Sequence, residues 1–327
     1  MDRRTFVRST GLAILGVSLR SSAQRTGAIS HIGYMALPTS TPNVRLAMFK
    51  QTMRELGYVE GKNVVIEYRS AEGKYERFAA IAEELVRLKV DVIVADDGTP
   101  SVIAARDATR TIPIVFTVVN DPVSSGIVKT LARPGGNVTG LALQSPDTTA
   151  KRLQMLKEIL PALRRVAVLV NPGNQSMNVW RQDLPAAAGK LGVELMLEEA
   201  RNTSQIDGAF DRATARAADA MIVFDDALFY ASAARIGSLA TRGRLPVMGG
   251  NSVIAENGGL ASYGANRLDL VRRSALFVDK ILKGASPADL PVEQASKFDL
   301  VINLKTAKTL GLTIPQSVLL RADQVIQ

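Results

Sequence analysis

The chain has 327 residues, 46% of them hydrophobic, a formal net charge of +9 and no cysteine. That length buries a sizeable core and suits two domains, while the missing thiol excludes disulfides, thiolate catalysis, cysteine-ligated metals and a lipid-anchored export cysteine. Lysine and arginine are interleaved with acids, as from Arg77 to Lys89, and no basic block alternates with aromatics, so a solvated surface is expected and nucleic acid is not an expected partner.

Asp2-Arg3-Arg4-Thr5-Phe6-Val7-Arg8 opens the chain with adjacent arginines, and an apolar run from Gly11 to Leu19 and then Ser21-Ser22-Ala23 follow. Basic region, hydrophobic region and small-residue site, in that order, read as an export signal of twin-arginine type over residues 1–23, cut after Ala23. The apolar run falls short of the roughly 20 residues that a spanning helix needs, and no later run is long enough. The processed protein is expected to be periplasmic, soluble, not membrane-spanning and monomeric. The signal carries a net +3, which leaves +6 on the remainder.

In chain order, His31 to Ala36 reads as a strand and Asn43 to Leu56 has helical spacing ended by Gly57. Asn63 to Tyr68 alternates as a strand, Tyr75 to Leu88 is amphipathic, and Val90 to Ala95 is a buried-strand run. Ala104 to Thr109 continues a helix begun at Pro100, Ile112 to Val119 is the next strand, and a helix is expected over Ile127 to Ala132. A turn cluster, Arg133-Pro134-Gly135-Gly136-Asn137, precedes the strand Val138 to Leu143. Three junctions share one pattern, a short polar residue followed at once by proline: Thr41-Pro42, Thr99-Pro100 and Asn120-Asp121-Pro122. Thr, Asn and Asp are favoured N-caps and proline is favoured at the first helical position, so each predicts strand, cap, helix start. In a parallel sheet such junctions share one edge, where free N–H groups and helix dipoles favour an anionic ligand.

A first lobe boundary is expected near Gln144 to Asp147, after which the alternation begins again. Helices are expected at Lys151 to Leu160, Val179 to Leu191, Gln205 to Ala217 and Leu228 to Thr241, with strands at Val166 to Val170, Val193 to Leu197, Ala220 to Phe224 and Pro246 to Met248. Leu268, Val271, Ala275, Val278 and Leu282 put one apolar face on a helix from Arg267 to Lys283; a strand at Leu300 to Ile302 and a helix at Leu304 to Leu310 follow. The fold class is α/β, two doubly wound parallel-sheet lobes with a cleft between them.

Several stretches then resemble one family. They are Ile112-Pro113-Ile114-Val115-Phe116, Asn120-Asp121-Pro122-Val123, the run from Ala132 to Leu141, Gly258-Gly259-Leu260-Ala261-Ser262-Tyr263-Gly264, Val278 to Gly284, and Lys297 to Ala307. The family is the ABC-transporter substrate-binding family that includes tryptophan- and tyrosine-binding proteins, and the likeness runs in order over roughly residues 30–327. It implies a type I periplasmic-binding-protein fold in which crossover hinge strands join lobe 1 (28–143 plus about 266–290) to lobe 2 (144–265 plus about 291–327). It implies a small organic solute, amino-acid-like and often aromatic, caught by lobe closure and delivered to an ABC permease with its ATPase subunit. No cofactor, metal or catalytic residue is implied.

Thr99 and Asp121 are expected on the first-lobe wall beside Asn120, either capping their own helices or meeting a carboxylate; Ser40 and Thr41 share that logic on the first loop. Asp225-Asp226 follows the strand Met221-Ile222-Val223-Phe224, and one of the two is expected to face an ammonium, a solvated loop being the alternative. Adjacent residues point apart, which disfavours a catalytic dyad. Tyr230 and Phe229 can stack on a flat ligand or pack, Asn251 can meet ligand or cap the next helix, and Tyr263 is a further candidate; Asn171-Pro172 repeats the junction pattern, and His31 is expected to be structural. With one histidine, no cysteine, no Gly-x-Gly-x-x-Gly opening and no Walker-type loop, an enzyme is not expected. An export signal stands where a DNA-binding regulator would place its helix-turn-helix. A ligand-sensing subunit signalling to a membrane receptor is the alternative to transport.

Overall fold

The computed structural model describes residues 29–37, 43–143, 145–174 and 177–327. The expected export signal, and Ser40 and the Thr41-Pro42 junction, lie outside the described residues.

A first sheet holds β1 (Ser30–Ala36), β2 (Val64–Ser70), β3 (Val92–Ala95), β4 (Ile114–Val119), β5 (Val138–Ala142) and β11 (Glu293–Gln294), parallel throughout, in the order β2-β1-β3-β4-β5-β11. A second holds β6 (Arg165–Val170), β7 (Glu194–Glu199), β8 (Ala220–Val223), β9 (Val247–Gly249), β10 (Ala261–Ala265), β12 (Phe298–Asn303) and β13 (Gln324–Ile326), in the order β7-β6-β8-β9-β10-β12-β13. There only β10 and β12 run antiparallel. Both sheets therefore start from the same doubly wound pattern, with the strand order reversing beside β1 in one and β6 in the other. Every residue of β3 and β4 is buried, as expected of strands covered on both faces.

The helices are α1 (Val44–Glu55), α2 (Arg77–Arg87), α3 (Thr99–Ala108), α4 (Ser145–Ile159), α5 (Met177–Leu191), α6 (Thr203–Ala215), α7 (Ala227–Ala231), α8 (Ala233–Arg242), α9 (Ser252–Glu256), α10 (Arg267–Leu282), α11 (Leu304–Leu310) and α12 (Gln316–Leu319). On one face of the first sheet Phe78, Ile81 and Leu85 of α2 and Val102 and Ala105 of α3 pack on Ile93 and Phe116. On the other, Phe49 and Met53 of α1 and Val271, Ala275 and Val278 of α10 pack on Ile32, Val92 and Val94. The second sheet is covered by α4 and α5 on one face and by α6 and α8 on the other.

The chain crosses between the sheets after β5, between β10 and α10, and between β11 and β12. Val118, Leu141, Leu143, Leu270 and Ala295 form a small apolar cluster where these crossings run together. The fold class is the expected one, two doubly wound α/β lobes joined by crossing strands.

Two predicted helices fail or break. Residues 127–132 form a bent loop after the turn at 122–126: Ile127 and Val128 both donate back to Pro122 O, Gly126 takes φ +65, and Arg133 N donates to the Thr130 hydroxyl. The six residues are too few to propagate a helix against those local bonds. The predicted helix over 228–241 is two helices, α7 and α8, separated at Ser232.

Candidate functional site

In doubly wound sheets a crevice opens past the carboxyl ends of the strands where their order reverses. Here both crevices carry the same chemistry. β3 runs into Asp96-Asp97 and β8, one residue on, into Asp225-Asp226, and the two edges face each other.

On the first-lobe edge Asp96 is fully buried, accepts hydrogen bonds from the Tyr34 hydroxyl (3.0 Å), Thr117 Oγ1 and the Asp97 N–H (2.9 Å), and is ion-paired to Arg45 Nε at 3.2 Å. Burial raises its carboxyl above the ordinary value, Arg45 works against that, and the neighbouring Asp97 adds to it. Asp97 accepts from Leu37 N (2.8 Å) and from Arg45. Asp97 and Gly98 both adopt positive φ, +72 and +91, and swing the chain into α3. Gly98 is consequently the N-cap, and Thr99, expected to be the cap, is the first helical residue; a glycine has no side chain with which to cap this end. α1 is likewise capped by Asn43, which accepts from Arg45 N and Leu46 N.

The third junction is local chemistry without a helix. Asp121 accepts from Val123 N (3.0 Å), Ser124 N (2.9 Å) and Ser124 Oγ (2.8 Å), but only a turn follows, and Asp121 lines neither cavity. Asn120, beside it, points its amide across the cleft to the Asp225 carbonyl at 3.4 Å.

On the second-lobe edge the adjacent acids point to different partners. Asp225 meets Arg152 Nη1 at 2.7 Å, outside the directions of a hydrogen bond, and accepts from the Tyr230 hydroxyl. Arg152 is 1% exposed and donates from Nε to Tyr263 O at 2.6 Å. Gly250 lets the pair sit close to the backbone, since a Cβ there would fall 2.1 Å from Asp225 Oδ1 and 2.3 Å from Arg152 Nη2 and displace them. Burial works to raise the Asp225 carboxyl; Arg152, then Arg267 and the Tyr230 hydroxyl, outweigh it and hold the group below its ordinary value. Asp226 caps α7 through Leu228 N (2.8 Å) and accepts from Asn171 (3.3 Å), Asn174 (2.7 Å) and, across the cleft, the Tyr75 hydroxyl (3.2 Å). Its burial nevertheless keeps the carboxyl above the ordinary value.

The lobes thus touch through Tyr75–Asp226 and Asn120–Asp225. These contacts bound a small inner cavity of about 30 Å³ lined by Thr99, Asn120, Asp225 and Asp226 together with Asp97 and Arg267. A wider cleft of about 830 Å³ opens beside it, with Tyr230 and Asn251 on its wall, Val44 and Leu268 exposed to it, and Asp97 and Arg267 shared with the inner cavity. Asn251 caps α9, accepting from Val253 N at 3.0 Å. Phe229 is fully buried in the core, Tyr263 stacks on Phe298 at 6.0 Å, and His31 donates its backbone N–H to Asp91. Among the described residues no group of histidine or acidic side chains is placed to hold a metal ion, and no helix is long and apolar enough to cross a membrane.

Sequence reasoning did not single out Arg45, Tyr75, Asp96, Asp97, Arg152 or Arg267. One signal was available: Ile93-Val94-Ala95-Asp96-Asp97 repeats the pattern of Ile222-Val223-Phe224-Asp225-Asp226, one copy per lobe.

A family model described as ABC transporter substrate binding protein matches residues 44–326. A curated tyrosine-binding protein of Clostridioides difficile (strain R20291) is 29% identical over 265 residues, covering 81% of this chain and 75% of that protein. A crystal structure of an ABC domain in complex with L-Trp from Streptococcus pneumoniae is 28% identical, covers 91% of this chain and 100% of that one, and superposes with a TM-score of 0.84. The ligand-free, open structure of a substrate-binding protein with adhesive properties from Clostridium difficile is 29% identical over the same shares of the two chains, and its TM-score is 0.68.

Proposed function

The chain belongs to the ABC transporter substrate-binding protein family, and we propose that it captures an amino-acid-like, aromatic solute between its two lobes in the periplasm for an ABC importer. The observation that carries this is the meeting of two matching sheet edges around one cavity, with hydrogen bonds from each lobe to the other. Two likenesses support it: the relatives bind tyrosine and tryptophan by their names, and the fit is better to the L-Trp complex than to the open, ligand-free form at almost equal identity.

In this reading the first sheet with α10 and β11 moves against the second sheet about the three crossings. Thr99 and Asn120 on one wall and Asp225, Asp226, Tyr230 and Asn251 on the other surround the solute. The carboxyls of Asp225 and Asp226 are already engaged, so they serve the solute through the shape and potential of the wall. Delivery to a permease and its ATPase subunit follows from the family role.

A thermal-shift screen of the protein without residues 1–23 against amino acids and small carboxylates tests the capture step. A solute that binds the native state raises the melting temperature by mass action. L-tyrosine and L-tryptophan are expected to raise it; no shift with any solute overturns the reading.

A further inference from the structure

Arg267 stands out from the other arginines of the cleft. Arg45 is paired with Asp96 and Asp97, and Arg152 with Asp225. Arg267 has no ion-pair partner among the described residues, although it lines both the inner cavity and the wider cleft. Its guanidinium lies over the ring of Tyr230, 4.4 Å from the centroid. A cation on a ring face is held by the ring's quadrupole, which consumes none of its hydrogen-bond donors. A planar fork of N–H donors, oriented by stacking and with no ion-pair partner among the described residues, is suited to a carboxylate, which it can meet with two parallel bonds.

The carboxylates of this chain that border the inner cavity make no close ion pair with Arg267, although its charge, acting from beyond ion-pair distance, helps hold Asp225 below its ordinary value. Asp97 is held by Arg45 and Leu37 N, Asp225 by Arg152 and Tyr230, and Asp226 by four donors. Glu256, Asp299 and Asp323 stand on the wall of the wider cleft and form no ion pair with Arg267.

The position of Arg267 adds a second element. It is the first residue of α10, which packs on the first sheet, whereas Tyr230 is on α7 at the edge of the second. The stack therefore spans the two lobes at a crossing point, and separating the lobes takes the ring from beneath the guanidinium.

We infer that Arg267 selects solutes bearing a carboxylate, and that it presents its donors to that group only when lobe closure has seated it on Tyr230. This rests on the solute-capture reading above. It assigns a specificity-determining residue to that site and couples recognition to closure. The anion is gripped by a side chain at the hinge, on the wall opposite the acid pair at Asp225-Asp226.

The test compares ligands that differ at one group. L-tyrosine, L-tyrosinamide and tyramine are titrated by calorimetry into the protein and into Arg267→Gln, Arg267→Lys and Tyr230→Leu, with circular dichroism and melting temperature as folding controls. For Arg267→Gln, a roughly tenfold to hundredfold weaker binding of L-tyrosine is expected, with tyrosinamide changed less than threefold. Arg267→Lys should recover part of the loss, since it keeps the charge and loses the fork. Tyr230→Leu should weaken L-tyrosine more than tyrosinamide, because the guanidinium loses its seat. Equal affinities of Arg267→Gln and the parent for L-tyrosine, or equal losses for acid and amide, overturn the inference while capture stands. A parent protein that takes only solutes without a carboxylate does the same. If the parent binds nothing in the full screen, both fall.

Discussion

Replacing Arg152 by methionine isolates the energetics of the buried pair that shapes the second-lobe wall. Arg152 and Asp225 are 1% and 5% exposed, and the guanidinium is the opposite charge nearest to Asp225, at 2.7 Å. Methionine fills much of the volume but leaves a buried carboxylate whose remaining partners are the Tyr230 hydroxyl and the more distant Arg267. Removing one member of a buried pair costs about 3–5 kcal/mol, which for a lobe of this size lowers the melting temperature by roughly 6–20 °C. The pH dependence gives the sign. In the parent protein the folded Asp225 is held below its unfolded value, so its contribution is present above the unfolded pKa of about 4 and is lost as pH falls through the lower folded value. In Arg152→Met the main lowering cause is gone and burial raises the group instead. The folded variant then binds its proton more tightly than the unfolded chain does, so its penalty grows as pH rises above about 4 and shrinks on acidification. Urea titrations at pH 7.5 and pH 4.5 measure both. The double variant Arg152→Met/Asp225→Asn, which removes the orphaned charge, should regain more than half of the loss at pH 7.5. A cost under about 1 kcal/mol at pH 7.5, a cost independent of pH, or no rescue by the asparagine would each refute the account.

Three further outcomes follow from the geometry. Tyr75→Phe removes the hydroxyl that reaches Asp226 across the cleft; losing about 1–2 kcal/mol of closed-state stabilisation shifts the open-to-closed ratio roughly fivefold to thirtyfold, read as a larger radius of gyration of the ligand-free protein in X-ray scattering. Gly264→Ala would place a Cβ 1.9 Å from Gly250 O, and the backbone shift this forces should cost about 3 kcal/mol or more and lower the melting temperature measurably. Asn251→Ala removes the cap of α9 and should cost about 1 kcal/mol in chemical denaturation, most of it recovered by Asn251→Asp or Asn251→Ser.

What the sequence made legible depended on whether the chemistry was local. The strands before Asp96 and Asp225 are short apolar runs, and the acid pairs follow directly from their ends. Cap chemistry was legible as well: Asp121 does bind the N–H groups of the next turn. Whether a helix then follows is decided further on, at Gly126, whose left-handed backbone ends the turn. Thr99 was displaced from its expected role by Asp97 and Gly98, because two successive positive φ angles begin the helix one residue earlier than a Thr-Pro pattern implies. Arg152 was hidden for a tertiary reason. On its own helix it is a cation beside Lys151, and its burial comes from Gly250, Gly264 and the Tyr263 carbonyl, distant in sequence. β11 and β13 have only two and three residues and take their identity from the strands they join, β5 and β12.

The two acid pairs also explain how the lobes can meet. Four aspartates brought to facing edges would repel if all were ionised and unpaired, and burial would add a desolvation cost of several kcal/mol per ion. Each lobe sets one cation against its own edge beforehand: Arg45 lies on Asp96 and Asp97, and Arg152 lies on Asp225. The two carboxyls whose surroundings disfavour charge, Asp96 and Asp226, are also the two most heavily supplied with neutral donors, from Tyr34, Thr117, Tyr75, Asn171 and Asn174. Hydroxyl and amide donors stabilise a carboxylate without adding a charge, and a hydroxyl can turn to accept once the group takes up a proton. Each wall therefore brings donors of its own to its acids, and Tyr75 ties its lobe to Asp226 by a hydrogen bond across the cleft. In the proposed capture, a solute entering the cleft meets a surface whose acids are already engaged, so discrimination passes to the side chains at the crossings, Arg267 among them.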